Sequence, residues 1–240
     1  MDIFFGPEGN PFVMYSVQHW IALAGVFLSA RLVVHFRKRL RRPPWNALFR
    51  YSLAGMMLLL FIGLQIWYIR AGQWDIAHSL PLHLSTISLL ASVLLLINKN
   101  YYLFEFIYFA GIGSALQALF TPVLDIAFPH FWYFYFFMGH GGIILAAVYF
   151  AAVERYRPVL KSIARTMLWL NVLVVIIFPI NLITGGNYMF IARKPQTVSL
   201  LDLLGPWPWY ILPLEAAALI ICILLYMPFA LLRKFHSSNR

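Results

Sequence analysis

Seven apolar stretches follow one another along the chain, separated by short polar or glycine- and proline-containing connections. They cover residues 12–36, 46–70, 80–97, 101–120, 131–152, 163–184 and 209–232. A helix that crosses the hydrocarbon core of a bilayer needs about 20 mostly apolar residues, and each stretch approaches or exceeds that length. The pattern therefore predicts an all-α protein, a polytopic bundle of seven transmembrane helices.

Polar residues inside these stretches gather in the half of each helix that lies toward one side of the membrane. An isolated polar group in hydrocarbon is costly unless it meets another polar group or lines a watery cavity. We therefore predict a single polar chamber below the outer surface, and we expect the function there. The residues that define it are Gln18, His19, Gln65, His83, Ser85, Thr86, Gln117, His140, Asn181 and Glu215.

The composition agrees with a membrane protein. Hydrophobic residues make up 62% of the chain and charged residues 11%, far from the globular average. The short connections indicate a single integral membrane domain over residues 1–240, and the first stretch is too long for the core of a cleaved signal peptide. The sole cysteine, Cys222, excludes an intrachain disulfide and a cysteine-based zinc site. We expect no metal and no other cofactor.

Basic residues identify the cytoplasmic side. When successive connections are assigned to alternate sides of the membrane, one side carries most of the cations, including the run 37–42. The other side carries Arg70, Arg193 and Lys194. The positive-inside rule then places the N-terminus outside and the C-terminus in the cytoplasm. The net charge of +10 is thus a topology signal and not a nucleic-acid surface. The run 37–42 could also bind an acidic lipid specifically.

The third stretch begins with a sequence suited to binding an anion. Ser79 fits an N-cap and Pro81 fits the first turn, which places His83 and Ser85 one to two turns below the outer end. A helix N-terminus offers unpaired N–H groups and a partial positive charge. Ser85 is therefore a candidate functional residue. The alternative is a small-residue packing seam, which we accept for Ser88 one turn further on.

The fifth stretch carries a histidine between glycines, in the string Gly139-His140-Gly141-Gly142. The glycines leave room for another helix or a ligand beside the imidazole. A histidine at membrane depth is a candidate general base. The alternative is a histidine that ties helices together through a backbone carbonyl.

Two carboxylates lie inside apolar stretches and need polar partners. Glu215 in the seventh stretch could pair with His19, His83 or His140 and orient a catalytic histidine, or it could form a structural ion pair. Glu105 lies toward the inner end of the fourth stretch. We expect it to pair with a basic residue of the inner side, outside the site.

The connection at residues 184–207 is the longest on the outer side. It contains Asn187 and Tyr188, then Arg193 and Lys194, and then an apolar run. Such a segment could form a lid with a short interfacial helix, and its two cations could meet a phosphate headgroup. The alternative is an ordinary interfacial loop.

Several short strings, spread over almost the whole chain, carry a family resemblance. They are Phe4-Phe5-Gly6, Gln18-His19, Leu80-Pro81-Leu82-His83-Leu84, Gly139-His140, Asn187-Tyr188-Met189 and Gly205-Pro206-Trp207-Pro208-Trp209-Tyr210. Together they resemble the YwaF-type bacterial integral membrane protein family, which implies a multi-pass protein of the bacterial cytoplasmic membrane. That family is similar to eukaryotic multi-pass lysophospholipid acyltransferases, and more distantly to androgen-induced intramembrane hydrolases that use a threonine and a histidine.

The resemblance implies a catalytic pair. The eukaryotic acyltransferases use a cysteine and a histidine on successive helices, and these positions correspond to Ser85 and His140 here. Serine needs a stronger base than cysteine because its hydroxyl is far less acidic. The implied function is acyl transfer or ester hydrolysis: His140 takes the Ser85 proton, Ser85 attacks a lipid ester, and water or a lysolipid accepts the acyl group.

The other polar residues are expected to assist this chemistry. His83 and Glu215 would orient the base, and the N–H groups of the third helix or Gln117 would stabilise the oxyanion. Membrane lipids, either phospholipid or lysophospholipid, are the expected partners. Nucleic acid is excluded, and the oligomeric state is left open. Substrate-binding roles are expected for Gln18, His19, Gln65, Gln117, Asn181, Asn187, Tyr188, Arg193 and Lys194.

Two other functions remain open from the sequence. One is a non-catalytic protein that binds or transports a lipid or small molecule in the same chamber. The other is a zinc hydrolase built on His19, His83, His140 and Glu215. No helix carries a His-x-x-x-His pair, which disfavours the zinc site.

Overall fold

The computed structural model is helical throughout the bundle and describes residues 4–6, 9–194 and 203–238, with side chains to residue 231. The helices are α1 (Val17–His35), α2 (Arg37–Leu40), α3 (Trp45–Arg70), α4 (Leu84–Asn98), α5 (Tyr101–Phe106), α6 (Ile112–Phe120), α7 (Phe131–Ala152), α8 (Leu160–Thr184) and α9 (Ile211–Ser238). A π-helical turn, Ile107–Gly111, joins α5 to α6, and a 3₁₀ turn, Tyr188–Phe190, follows α8. The all-α prediction is confirmed.

Each of the seven predicted stretches contains a helix, but six are long and apolar enough to cross a membrane. One of the six is the continuous helix formed by α5, the π-helical turn and α6. The third stretch gives α4, whose 15 residues extend for about 22 Å at 1.5 Å per residue. This is shorter than the roughly 30 Å hydrocarbon core. The described chain therefore has six candidate spans and one shorter apolar helix, and a count of seven full spans stays a prediction.

Helix α4 begins later than predicted because the preceding residues form a turn of their own. The Ser79 N–H donates to the Asp75 carbonyl at 2.8 Å, and the Ser79 hydroxyl accepts from the Asp75 N–H at 3.0 Å. The N-cap of α4 is His83, which is extended and makes no side-chain cap bond. The prediction that Ser79 caps this helix and that Pro81 lies in its first turn is therefore wrong. Ser85 lies in the first turn instead.

Helix α7 lies at the centre of the bundle, against α1, α3, α4 and α6. Of the 18-residue apolar segment of α7, 67% is buried inside the protein, compared with 11% of the corresponding segment of α9. Helix α9 is therefore peripheral. A Cβ atom at Gly141 would lie 2.9 Å from Val26 of α1, and one at Gly142 would lie 3.0 Å from Met57 of α3. The glycines that follow His140 therefore allow neighbouring helices to approach, as small residues commonly do in membranes.

The long helices alternate in direction, so that their connections lie at two opposite ends. At one end the N-terminal segment meets the connection between α6 and α7, where the Phe12 N–H donates to the Asp125 carbonyl at 2.9 Å. The end of α3 lies there too, because the Trp67 indole N–H donates to the Phe5 carbonyl at 3.1 Å. The connection after α8 joins the connection after α3, since the Tyr188 hydroxyl donates to the Ile76 carbonyl at 2.6 Å. We call this the loop end; its described parts are residues 4–6, 9–16, 71–83, 121–130, 185–194 and 203–210.

The opposite end, which we call the basic end, comprises residues 36–50, 97–105 and 151–165. Arg41 donates to the carbonyls of Ala152 and Val153 at the end of α7, at 2.7 and 2.9 Å. Arg50 donates to the Leu96 carbonyl near the end of α4 at 2.5 Å. Cations at helix C-termini satisfy unpaired carbonyls and interact favourably with the helix dipole. The contacts confirm that these basic residues share one side of the bundle.

A buried carboxylate at the basic end attaches α8 to α5. Glu105 accepts two hydrogen bonds from Arg165, at 2.7 and 2.5 Å, and a third from the Ser162 hydroxyl. The expected basic partner for Glu105 is thereby confirmed. This residue contributes to packing and lies outside the candidate site.

We expect the stability of the protein to fall at acidic pH in part through Glu154. Burial raises the pKa of this carboxyl, but hydrogen bonds from Lys99 and Asn46, at 2.8 Å each, lower it below its usual value. A carboxyl whose pKa is lowered by folding stabilises the protein above its unfolded pKa of about 4.3, and the effect is lost as the pH falls through the folded pKa. The unfolding midpoint of Glu154→Gln should therefore lie below that of wild type at neutral pH and approach it in acid.

The measurement is a series of thermal unfolding curves of detergent-solubilised protein between neutral and acidic pH. The control is Asn10→Ala, which changes an exposed amide at the loop end. Because an amide does not titrate in this range, the difference of this variant from wild type should stay the same across the series. A Glu154→Gln difference that also stays constant would contradict the stabilising role of the ionised carboxylate.

Candidate functional site

A small cavity lies between α4 and α7. The centre of a water-sized sphere can occupy about 10 Å³ of it, close to the space that one buried water needs. Two of the predicted catalytic residues, Ser85 and His140, line this cavity although they are far apart in the sequence. The lining consists of Ser85, Leu89, Tyr135, Gly139, His140 and Ile143.

His140 is held in a single orientation by the backbone of its own helix. Its side chain is 8% exposed, and Nδ1–H donates to the Phe136 carbonyl one turn earlier at 2.7 Å. A neutral imidazole carries one proton, so that this bond places the proton on Nδ1 and leaves the lone pair on Nε2. The carbonyl belongs to α7 itself, so that this bond does not tie two helices together as the alternative role required, and it uses only one ring nitrogen. The other is suited to accept a proton.

Ser85 lies where the backbone N–H groups of α4 have no intrahelical partner. The N-cap side chain accepts none of them, so that Leu84, Ser85 and Thr86 present the positive end of the helix beside the cavity.

The Ser88 hydroxyl is buried and has no hydrogen-bond partner within the described chain. Ser92 donates to the Ser88 carbonyl at 2.7 Å. Ser88 and Ser92 are both fully buried, as a role in helix packing requires.

His83 does not line the cavity. Its ring lies against two aromatic side chains from the connection after α8, with centroids 5.2 Å from Tyr188 and 5.5 Å from Phe190. These contacts hold the loop end against the start of α4. Within the described residues, no hydrogen bond joins His83 to His140.

His19 belongs to the packing of α1. Its Nε2–H donates to the Leu119 carbonyl of α6 at 2.8 Å, and its Nδ1 accepts from the Tyr15 N–H at 2.9 Å. Both ring nitrogens are thus bonded to backbone, and the residue is fully buried, which leaves no group of the imidazole to bind a substrate. Gln18 is exposed, and its backbone carbonyl accepts from the Tyr133 hydroxyl at 2.7 Å.

Asn181 and Tyr188 stabilise the loop end. The Asn181 amide brackets the Tyr188 backbone, accepting from its N–H at 2.7 Å and donating to its carbonyl at 3.0 Å. The Tyr188 hydroxyl in turn donates to the Ile76 carbonyl and accepts from the Leu80 N–H at 3.0 Å. Both side chains were expected to bind substrate. Their hydrogen bonds instead join the connection after α8 to α8 itself and to the connection after α3.

We expect Asn181→Ala to destabilise the protein by about 2–6 kcal/mol. The substitution leaves a buried N–H and a buried carbonyl of Tyr188 without partners, and each such group costs about 1–3 kcal/mol. Equilibrium unfolding in detergent measures the change. The matched control is Asn10→Ala, since Asn10 is exposed at the loop end and its hydrogen bond from Ala127 uses its backbone carbonyl; we expect a change within about 0.5 kcal/mol. Equal destabilisation by the two substitutions would contradict this role of Asn181.

Gln65 and Gln117 also lie outside the cavity. The Gln65 amide donates to the Ser79 carbonyl and accepts from the Trp74 indole N–H, both at 3.1 Å. It therefore ties the end of α3 to the connection that follows. Gln117 is exposed on α6 and does not line the cavity on α4 and α7.

The connection after α8 folds back on itself around Asn187. The Asn187 amide accepts from the Arg193 N–H at 3.1 Å and donates to the Arg193 carbonyl at 2.8 Å. The exposed Arg193 guanidinium donates to the Gly185 carbonyl at 3.1 Å, and Lys194 is half-buried beside it. The predicted interfacial helix falls mainly on residues 195–202, outside the described residues.

Glu215 has an amide partner where a histidine was expected. Its Oε1 accepts from Asn171 Nδ2 of α8 at 2.6 Å. Helix α9 packs chiefly against α8 and the π-helical turn, away from the cavity between α4 and α7. Glu215 therefore joins two peripheral helices in this structure, and a role in orienting a catalytic histidine stays a prediction.

The polar residues at the predicted depth therefore do not line one chamber. Four of the ten, His19, Gln65, His140 and Asn181, bond through their side chains to backbone groups, and Ser85 and His140 line the small cavity. Sequence reasoning missed Tyr135 in its lining. Tyr135, Gly139 and Ile143 follow at intervals of four along α7, and this spacing places them on one face of the helix. Among the described residues, no group of three or more His, Cys, Asp or Glu side chains could hold a metal ion.

Comparison with known proteins connects the chain to a membrane-protein family. The model of the TMEM164 family matches residues 14–226, a range that includes both walls of the cavity. No curated protein matches the chain, and no solved structure matches it.

Proposed function

The chain belongs to the TMEM164 family, a multi-pass membrane family, and we propose that it is an intramembrane enzyme that hydrolyses or transfers the acyl esters of phospholipid-like substrates. The observation that carries the proposal is the cavity shared by Ser85 and His140. A serine hydroxyl and a histidine with an unprotonated Nε2 are the pair that nucleophilic acyl transfer requires.

In the first proposed step, Ser85 becomes acylated. Nε2 of His140 takes the hydroxyl proton as the Ser85 oxygen bonds to the ester carbonyl carbon. The tetrahedral oxyanion collapses, the bond to the lipid oxygen breaks, and His140 returns its proton to that oxygen. The products are a lysolipid and an acyl-serine. The bond from Nδ1–H to the Phe136 carbonyl keeps the imidazole in the required tautomer throughout.

In the second step, water or a lysolipid hydroxyl attacks the acyl-serine. His140 takes the proton of the attacking group and returns it to the Ser85 oxygen as the acyl bond breaks. Water gives a free fatty acid, and a lysolipid gives a new diacyl lipid. The N–H groups in the first turn of α4, which have no intrahelical partner, favour negative charge beside Ser85 and support an oxyanion role.

The size and level of the cavity constrain how a lipid could reach it. A space for about one water does not hold an ester, so that α4 and α7 must separate, or their side chains must move, before the reaction. Ser85 lies in the first turn of α4, next to the loop end, where a helix meets the lipid headgroups. The ester bonds of phospholipids lie near the same level.

The proposed orientation follows from charge. Because cations collect at the basic end, the positive-inside rule places that end in the cytoplasm and the loop end outside. The cavity would then face lipids of the outer leaflet. The resemblance to YwaF-type bacterial proteins supports the bacterial cytoplasmic membrane as the location.

The test uses the full chain in vesicles of phospholipid labelled in one acyl chain, with unlabelled lysophospholipid added. Labelled fatty acid reports hydrolysis, and a labelled lipid made from the lysophospholipid reports transfer. A second sample is first treated with an alkyl fluorophosphonate, whose phosphorus bonds to an activated serine oxygen with loss of fluoride. We expect product in the first sample, little in the second, and the phosphorus adduct on Ser85.

Two results would contradict the proposal. One is the absence of product and adduct from protein that still copurifies with lipid, which would favour a lipid-binding protein. The other is an adduct confined to a different serine, which would place the chemistry elsewhere.

A further inference from the structure

The basic end carries more positive charge than its carboxylates can balance. Of the carboxylates that the structure describes, Glu105 and Glu154 lie at this end. Glu105 pairs with Arg165 at 2.5 Å, and Glu154 pairs with Lys99 at 2.8 Å. The remaining arginines of the basic end have no carboxylate partner in the described part of the chain.

Two of these arginines are fixed side by side on the end of α7. Arg41, from the connection after α1, donates through Nε and Nη2 to the carbonyls of Val153 and Ala152. Arg157, from the connection after α7, donates through Nη1 to the Ala151 carbonyl at 2.5 Å. Three successive carbonyls of one helix thus hold two guanidinium groups together. These bonds leave Nη1 of Arg41 and Nη2 of Arg157 for another acceptor.

Two further arginines complete the group. Arg37 lies four residues before Arg41 and donates through Nη1 to the Val34 carbonyl at 2.9 Å, and Arg155 lies two residues before Arg157. Desolvation and the nearby charges of Arg155, Arg37 and Arg157 accordingly lower the pKa of Arg41. Arg155 is exposed and has a φ of 62°, in the left-handed region that non-glycine residues seldom adopt. A strained backbone therefore places a fourth cation beside like charges. We call Arg37, Arg41, Arg155 and Arg157 the arginine cluster.

Aromatic side chains place the arginine cluster at the membrane surface. Trp45 is exposed at the basic end, and the Arg39 guanidinium lies 4.1 Å from the centroid of its ring. Tyr102 is exposed at the same end. Exposed Trp and Tyr residues at the ends of membrane-spanning helices mark the headgroup layer.

We propose that the arginine cluster is a binding site for the phosphate headgroup of an anionic phospholipid in the leaflet at the basic end. Guanidinium groups bind phosphate oxygens through paired, charge-assisted hydrogen bonds. Basic groups at the membrane surface attract anionic lipids, and the long apolar helices keep the cluster at that surface. The site lies at the opposite end of the molecule from Ser85 and does not depend on the proposed enzymatic function.

Lipid binding to the purified full chain tests the site by native mass spectrometry. Dioleoyl phosphatidylglycerol is compared with dioleoyl phosphatidylcholine, which has the same acyl chains and no net charge. The variant is Arg37→Gln with Arg155→Gln, since both side chains are exposed. We expect wild type to prefer phosphatidylglycerol. The double variant should lose about fivefold in affinity for each charge removed, or roughly 25-fold in all.

The matched control is Arg70→Gln, which removes an exposed arginine at the loop end and should leave phosphatidylglycerol affinity unchanged. An excess of inorganic phosphate should not displace the lipid. Unfolding curves confirm that each variant is folded. Equal affinity of wild type for the two lipids, or wild-type affinity of the double variant for phosphatidylglycerol, would refute the site. An equal loss of affinity in Arg70→Gln, or displacement of the lipid by inorganic phosphate, would refute it as well.

Discussion

Ser85→Ala is expected to lower the rate of acyl release or transfer by about 10³-fold or more. The substitution removes the oxygen that would carry the acyl group and leaves the backbone of α4 and its unpaired N–H groups in place. Because Ser85 is only half-buried, alanine should be tolerated by the fold. The measurement is product formation from labelled phospholipid in vesicles, at matched protein content.

Two further variants sharpen this test. Ser88→Ala removes a buried hydroxyl from the next turn of α4 and should keep the wild-type rate. Ser85→Cys retains a nucleophile, and a thiol is more acidic than a hydroxyl, so that much of the activity should persist. A folded Ser85→Ala protein that works at the wild-type rate would exclude Ser85 as the nucleophile.

His140→Ala should slow the same reaction by about 10²–10⁴-fold, the usual contribution of a positioned general base. Without the imidazole, no side chain of the cavity lining is a comparable acceptor for the Ser85 proton. The tyrosine there, Tyr135, is a hydroxyl and a poor base at neutral pH. Product formation in vesicles again measures the rate, with an unfolding curve to show that the enlarged cavity has not unfolded the protein.

The control for this variant is His78→Ala. His78 lies at the loop end, is exposed and contacts Asp75 at 3.0 Å, so that its loss should leave the rate unchanged. His140→Gln provides a less disruptive second variant because it fills more of the space. Activity in either His140 variant equal to wild type would show that the imidazole has no part in the chemistry.

The helices were predictable because the bilayer imposes one length and one composition on every span. The exception, α4, shows what the hydropathy pattern does not contain. Residues 80–83 are partly apolar and contain Pro81, which fits a first helical turn. The turn closed by Ser79 and Asp75 nevertheless ends before them, and His83 is extended. Local hydrogen bonds of the preceding loop thus decided where the helix begins.

The polar chamber was predicted from depth alone, and depth does not identify the partner of a polar group. Asn181, Gln65 and His19 all lie toward the loop end, but each bonds to backbone groups. A connection that is packed between helices carries N–H and carbonyl groups that must be satisfied. Side chains from neighbouring helices supply those bonds, and the sequence does not show which connection will reach which side chain.

The pairing of Ser85 with His140 in one cavity was expected from the resemblance, and the contact of α4 with α7 provides its physical basis. The glycines around His140 were a usable signal, because Gly139 faces α4: a Cβ atom at Gly139 would lie 3.4 Å from the Leu89 side chain. Glu215 carried no such signal. Its position in the seventh stretch fits both a catalytic and a peripheral role, and only the packing of α9 against α8 distinguishes the two.

The most direct test of the central claim is the intact mass of the purified protein after incubation with mixed phospholipids. We predict an added mass equal to one fatty acyl group in wild type, its absence in Ser85→Ala, and slower accumulation in His140→Ala. An unmodified wild-type mass, with lipid copurifying equally with all three proteins, would contradict acyl-enzyme chemistry at this cavity.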